Sequence, residues 1–272
     1  MFVNYFIYFL ILVVYHSCES RHHTFMSVCD LAQQIPLIRM LTVIIIIIII
    51  ITRHVTTTIG VILDSELSFE QHAGKLTQTC FFHLRRLRAI RRSLTNATLL
   101  TLVHAFIGTR LDYCNSALFG CKTSVIRCLQ SIQNSSARLI LNIPKFGRIT
   151  TAMRDTLHWL RMLQCIAFKI CMLLRNCVNG SAPIYLQEIC NSVSADVHRP
   201  RLRSTDHGDL VEPRANTDRF GRRGFSMSGP NQWNNLPPDI RKVSDKPEQF
   251  ARALKTLFYF RTALTSTSKG GP

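Results

Sequence analysis

Residues 80–92 read CFFHLRRLRAIRR. At about 100° per residue, Leu84, Leu87 and Ile90 share an arc of about 120°, and Arg85, Arg88 and Arg92 fall within about 60° of one another. Arg86 and Arg91 lie nearer the apolar arc and can extend their charged heads past it. The segment therefore reads as a helix with one packing face and one cationic face. No acid occurs between Gln71 and Thr109, so these arginines lack local partners. The cationic face is either a phosphate-contacting surface or a solvated charged face.

The helical period begins near Glu70. Before it, GVILDSELSF at 60–69 has a short apolar run closed by Asp64-Ser65, a strand followed by a turn. Ser93 to Asn96 ends the helix, and Thr95 or Asn96 can cap the next one. Residues 97–111 are apolar nearly all round, which predicts a buried helix. A third helix is expected over Ser124–Leu141, stopping before Pro144. One or two more cover 151–178 and end at Asn179-Gly180, and Pro183 to Ile189 add a short turn of helix. The character changes after Cys190. Residues 191–238 hold Pro200, Pro213, Pro230, Pro237 and Pro238, and short strands fit only at Asp209–Val211 and Phe225–Met227. An amphipathic helix fits 247–260, with Phe250, Leu254, Leu257 and Phe258 on one side. The fold class is mainly α. The parts are a hydrophobic leader at 1–52, a helical domain at 53–190, and a basic irregular region at 191–272 that ends in a helix.

The chain has 272 residues, 47% hydrophobic and 18% charged, which excludes disorder throughout and allows a sizeable core. Its net charge is +17. In residues 1–52, Arg21 and Arg39 balance Glu19 and Asp30, so the whole excess sits in 53–272. Such asymmetry points to a polyanionic partner, either nucleic acid or an anionic membrane. A second basic stretch carries Arg199, Arg201, Arg203, Arg214, Arg219, Arg222 and Arg223, with Phe220 and Phe225 interleaved. Exposed aromatics beside arginine suit single-stranded nucleic acid. Asp206, Asp209, Glu212 and Asp218 make internal ion pairs equally compatible with that stretch.

The leader is apolar from Met1 to Tyr15 and again from Met40 to Ile51, where Ile44 to Ile51 are eight consecutive isoleucines. Each run is short of the roughly 20 residues a spanning helix needs. A simple DNA repeat read as codons gives such a tract. The leader is thus a spurious or fused segment, a membrane-associated one, or a buried strand or helix. The ten cysteines include no Cys-x-x-Cys pair, so they read as reduced core residues rather than zinc ligands or a disulfide framework. No P-loop, Gly-x-Gly-x-x-Gly, His-Glu-x-x-His or Gly-x-Ser-x-Gly occurs, and no two acidic residues are adjacent. Asp64, Asp112 and Asp155 stand alone and fit capping or pairing with Arg110 or Arg154.

From residue 60 onward the sequence resembles the C-terminal part of reverse transcriptases from jockey-like non-LTR (LINE) retrotransposons. An ordered series carries the likeness: GVILDSELSFEQH at 60–72, CFFHLRRLRAIRRSL at 80–94, LVHAFIGTRLDYCNSALFG at 102–120, LQSIQNSSARLI at 129–140, RDTLHW at 154–159, APIYLQE at 182–188, GDLVEPR at 208–214 and FGRRGFSMSGPNQWNNLPPDIR at 220–241. The resemblance implies a last palm hairpin at Gly60–Phe69, a thumb with its helical extension over about 70–180, and the family's C-terminal region at 191–264. It implies that Arg85, Arg88 and Arg92, with Arg86, Arg91, Arg219, Arg222 and Arg223, contact RNA, DNA or their hybrid.

The family's aromatic-Ala-Asp-Asp metal site has no counterpart here, and Asp64 cannot substitute for it. The expectation is a truncated RNA-directed DNA polymerase without catalytic residues or cofactor of its own. Mg2+ belongs to the complete enzyme, and the missing palm and fingers are its natural partners. Arg161 and Cys165 stand where the family usually has Pro and Arg or Lys, which fits a decayed copy. Family resemblance implies a nuclear or cytoplasmic location, whereas a genuine 1–51 segment implies a membrane. The alternatives are a membrane-anchored basic interaction protein or an unstable pseudogene product.

Overall fold

A computed structural model describes residues 56–58, 60–193, 208–214 and 221–267. The leader at 1–52, Arg199, Arg201, Arg203, Arg219 and Phe220 lie outside the described residues. The described chain is mainly helical and forms two compact units, one ending at Leu157 and the other beginning at His158. The change of character in the sequence falls later, after Cys190.

The first unit opens with a hairpin. Strand β1 (Thr56–Thr58) pairs antiparallel with β2 (Val61–Leu63), Thr58 opposite Val61. Gly60, at φ 78°, supplies the left-handed residue that the tight connection needs. Val61 and Leu63 are buried on α1 (Glu70–Ala89). Between them, Asp64 organises the turn. Its Oδ1 accepts from the Ser68 and Glu66 amides at 2.7 and 3.1 Å, and its Oδ2 from the Ser68 hydroxyl at 2.6 Å. Leu67 and Phe69 are both left-handed, at φ 48° and 59°, a conformation costing about 1–2 kcal/mol each. The Asp64 hydrogen bonds and complete burial of the Phe69 ring offset that cost.

Helix α1 packs Ala73, Cys80, Leu84 and Leu87 inward, mainly against α4 (Thr123–Leu141). Each fully buried leucine contributes about 1.5–3 kcal/mol. The helix stops at Ala89, and Arg91–Ser93 form a 3-10 turn. Ile90 is 49% exposed, not part of the packing face expected for it, because the helix ends before it can turn inward. Thr95 then caps α2 (Asn96–Val103), its side chain accepting from the Thr98 amide at 3.2 Å.

The helix expected over 97–111 is broken by a π-helical turn, His104–Gly108, before α3 (Thr109–Asp112). It is not buried all round: Leu99, Val103, Ile107 and Leu111 face inward, while Thr101, His104, Ala105, Phe106 and Arg110 are exposed. The inward residues are four apart. In an unbroken α-helix each such step overshoots a full turn by about 40°. The wider π turn takes up that drift and keeps the stripe on the core. A 3-10 turn at Asn115–Leu118 leads to α4, and α5 (Thr150–Asp155) follows.

In the second unit, α6 (Met162–Val178) is the centre. A short α7 (Ile184–Gln187), α8 (Phe225–Asn234) and α10 (Pro247–Thr267) pack on it, and α9 (Pro238–Lys242) packs on α10. Ile166, Ile170, Cys171 and Leu174 meet a core containing Phe225, Trp233, Phe250, Leu254 and Phe258. Trp233 stacks on Phe250 with ring centroids 5.9 Å apart. Arg175 is buried and ties α6 to the turn before α10, donating from Nε to the Ser244 carbonyl at 2.6 Å and from a terminal nitrogen to the Asp245 carbonyl at 3.0 Å.

Two strand expectations fail here. Phe225–Met227 begin α8, although Gly229 and Pro230 lie inside that helix. A Cβ on Gly229 would come within 3.1 Å of Leu174 Cδ2, so close helix packing requires the glycine and outweighs its poor helix propensity. Of Asp209–Val211, only Leu210 forms an antiparallel bridge, with Ser192. Two backbone bonds flank that bridge, Val193 N to the Asp209 carbonyl at 3.0 Å and Val211 N to the Asn191 carbonyl at 2.8 Å, and side chains add to them. Asn234 accepts from the Leu210 amide and donates to its carbonyl, both at 2.9 Å, and Trp233 Nε1 donates to the Gly208 carbonyl at 3.0 Å. Arg241 pairs with Asp209. Among the described residues no helix is long and apolar enough to cross a membrane.

Candidate nucleic-acid interface

The C-terminal halves of α1 and α4 border a groove of about 870 Å³. One wall brings Arg85, Arg88, Arg91 and Arg92, the other Arg138 and Lys145. Phe81, Leu84, Leu139 and Ile143 form apolar parts of its lining, and no lining residue is acidic. Asn142 shapes the far end. It takes a left-handed conformation at φ 54°, the Ile143 amide returns to the Arg138 carbonyl at 3.0 Å, and the chain reverses to bring Lys145 to the groove.

The six cations are not equivalent. Arg91 is committed to structure: Nε donates to Leu139 O at 3.3 Å and the terminal nitrogens to Leu94 O at 3.3 Å and Asn96 Oδ1 at 2.6 Å. Arg138 reaches Gly147 O at 3.4 Å, while its buried Nε has no hydrogen-bond partner among the described residues. Arg85, Arg88, Arg92 and Lys145 are exposed, and among the described residues none of them pairs with a carboxylate.

Two helix C-termini meet here, and each presents about half a negative charge. That supplies one reason for cations at this place. It does not balance them, because two half charges offset about one of the six.

Of the arginines singled out by sequence, Arg85, Arg88, Arg91 and Arg92 thus come together. Arg92 does so from the 3-10 turn rather than from α1. Arg86 does not line the groove; its guanidinium lies 5.5 Å from the centroid of the Phe82 ring. Arg222 and Arg223 belong to the turn before α8 in the other unit and are not among the groove residues. Phe225 is buried in the second core, so it offers no stacking surface. Sequence reasoning misses Arg138 and Lys145, since only the packing of α4 on α1 brings them to the arginine row.

The isolated carboxylates take local roles. Asp64 holds its turn, Asp155 pairs with Arg154 at 2.6 Å, and Asp112 accepts from Asn115 at 3.0 Å, whereas Arg110 donates to the Phe106 carbonyl at 2.7 Å. Among the described residues no three His, Cys, Asp or Glu side chains could share a metal ion. Burial pushes the Cys80 thiol up to about 11 and Cys171 to about 12. A hydrogen bond with Cys190 and burial also raise Cys177.

No protein-family model, curated protein or solved structure matches the chain.

Proposed function

We propose that this chain binds nucleic acid through backbone phosphates in the α1–α4 groove. The observation that carries the reading is the convergence of six cations on a groove without an acidic lining residue. Four of the cations point to no carboxylate among the described residues, so a phosphate chain is a fitting counter-charge.

The family resemblance supports the same reading. On it, Gly60–Phe69 correspond to the last palm hairpin, the helices over about 70–180 to a thumb and its helical extension, and residues 191–264 to the family's C-terminal region. A thumb grips the template–primer duplex behind the active site, which is the task a cationic groove between two helices suits. The polymerase's metal site is another matter. The sequence has no adjacent pair of acids, so its residues do not fit the paired-carboxylate donor set, and no catalytic step is assigned to them. What they supply is grip on RNA, DNA or a hybrid.

The test is duplex affinity of the full chain between about 50 and 200 mM salt. A steep fall with salt is expected. An affinity that ignores salt overturns the reading.

A further inference from the structure

The opposite flank of α1 carries a feature that phosphate binding does not use. Phe82 is 48% exposed and Phe106 39% exposed. They are held by their neighbours. His83 stacks on Phe106, centroids 5.2 Å apart and planes 14° from parallel, and Phe82 meets His83 edge-on at 5.6 Å. Arg86 lies over Phe82, and Arg110 is anchored to the Phe106 carbonyl. Burial, then the charges of Arg110 and Arg86, hold the His83 imidazole below its ordinary pKa, which favours the neutral ring. Isolated exposed phenylalanines are common on protein surfaces. Three fixed rings edged by two arginines are a different thing, because the rings are ordered before any ligand arrives.

Phe82 precedes Arg85 by three residues, about 4.5 Å along the helix axis. The aromatic flank and the groove therefore border the same exposed crest of α1. We propose that Phe82, His83 and Phe106 form a stacking platform for an unpaired base of a nucleic-acid strand whose phosphates lie in the groove. The inference rests on the phosphate-binding reading and adds a preference: a single-stranded stretch or frayed end should bind in addition to duplex. Stacking on aromatics tolerates any base, since every base has a π face.

The probes are an oligothymidylate of about 20 nucleotides, an abasic strand of equal length and charge, and a duplex. The full chain should bind oligothymidylate more tightly than the abasic strand. Phe82→Ala and Phe106→Ala should each weaken oligothymidylate binding about fivefold or more, leaving abasic and duplex affinities unchanged. Both rings are partly exposed, so unchanged far-ultraviolet dichroism is expected. Equal affinity for the two single strands, with salt-dependent duplex binding intact, sinks the platform and leaves the groove. A base preference abolished by Phe146→Ala, whose ring is 92% exposed next to the groove residue Lys145, and not by the Phe82 and Phe106 variants also overturns it. No binding of any probe removes both readings.

Discussion

Arg91 and Leu139, 48 residues apart, are joined by a hydrogen bond from the arginine Nε to the leucine carbonyl at 3.3 Å. The bond links the turn after α1 to the last turn of α4, where the backbone carbonyls lack helical partners. The same guanidinium holds Leu94 O and Asn96 Oδ1. One side chain thereby fixes the end of the groove, and it leaves the neighbouring arginines to face solvent.

Arg91→Ala should cost about 1–3 kcal/mol of unfolding free energy, because three acceptors lose a charged donor. Arg91→Lys should recover little, since an ammonium cannot reproduce the planar fork. Arg85→Ala, with its side chain exposed, should change stability by less than about 0.5 kcal/mol. Urea titrations of the three variants check this. Equal losses at both positions would deny Arg91 its structural role.

In nucleic-acid binding the order reverses. Replacing Arg85, Arg88, Arg92 or Lys145 singly by Gln should make the log–log salt slope shallower by about 0.9 for each phosphate left without its cation. Arg154→Gln should leave the slope unchanged, since Arg154 is already paired with Asp155. Fluorescence anisotropy over a salt series reads it. A slope that stays fixed in all four groove variants would place the binding surface elsewhere.

The arginine row is legible in the sequence because Arg85, Arg88 and Arg92 still line one groove although α1 ends at Ala89, three residues before Arg92. The long helices over 70–89, 123–141 and 162–178 are legible for the same reason, a sustained apolar period. What the period cannot carry is tertiary. Arg138 and Lys145 reach the groove only through packing of α4 on α1. Phe225–Met227 reads as a short strand in an irregular stretch because Gly229 and Pro230, which follow, are poor helix formers, yet Leu174 needs a residue without a side chain at 229. The π turn is invisible to a 3.6-residue template, although the four-residue spacing of Leu99, Val103, Ile107 and Leu111 is its signature.

Asn234 offers a test of how the 208–212 segment is held. Its amide pairs with both backbone groups of Leu210, as a neighbouring strand would, and also donates to Glu212 at 3.0 Å. Asn234→Leu keeps the approximate size and removes the pairing, so the Leu210 amide should lose hydrogen-exchange protection, and stability should fall by about 1–3 kcal/mol. An unchanged exchange rate at Leu210 would show that the backbone bonds to Asn191 and Val193, with Trp233 and Arg241, hold the segment without Asn234.

Alkaline pH provides the last test, through protons rather than phosphates. Burial raises Cys80 from 9.0 to about 11 and Cys171 from 9.0 to about 12; for Cys80 the charge of Arg110, and for Cys171 that of Arg261, oppose it only in part. Tyr259 rises from 10.0 to about 12, chiefly by burial. In each case the unfolded chain releases its proton first. Between pH 9 and about 11–12 the unfolded state binds fewer protons than the folded one, so stability falls as pH rises. Below pH 9 these thiols contribute no slope. The stability curve should therefore be flat with respect to them at neutral pH and bend downward above 9, by at most about 1.4 kcal/mol per pH unit for each group. Cys171→Ala should lower stability at pH 7 through the poorer packing, yet make the alkaline slope shallower. Urea midpoints at several pH values from 7 to about 11 separate the two effects. A slope that Cys171→Ala leaves unaltered would mean that this thiol ionises alike in the folded and unfolded chain.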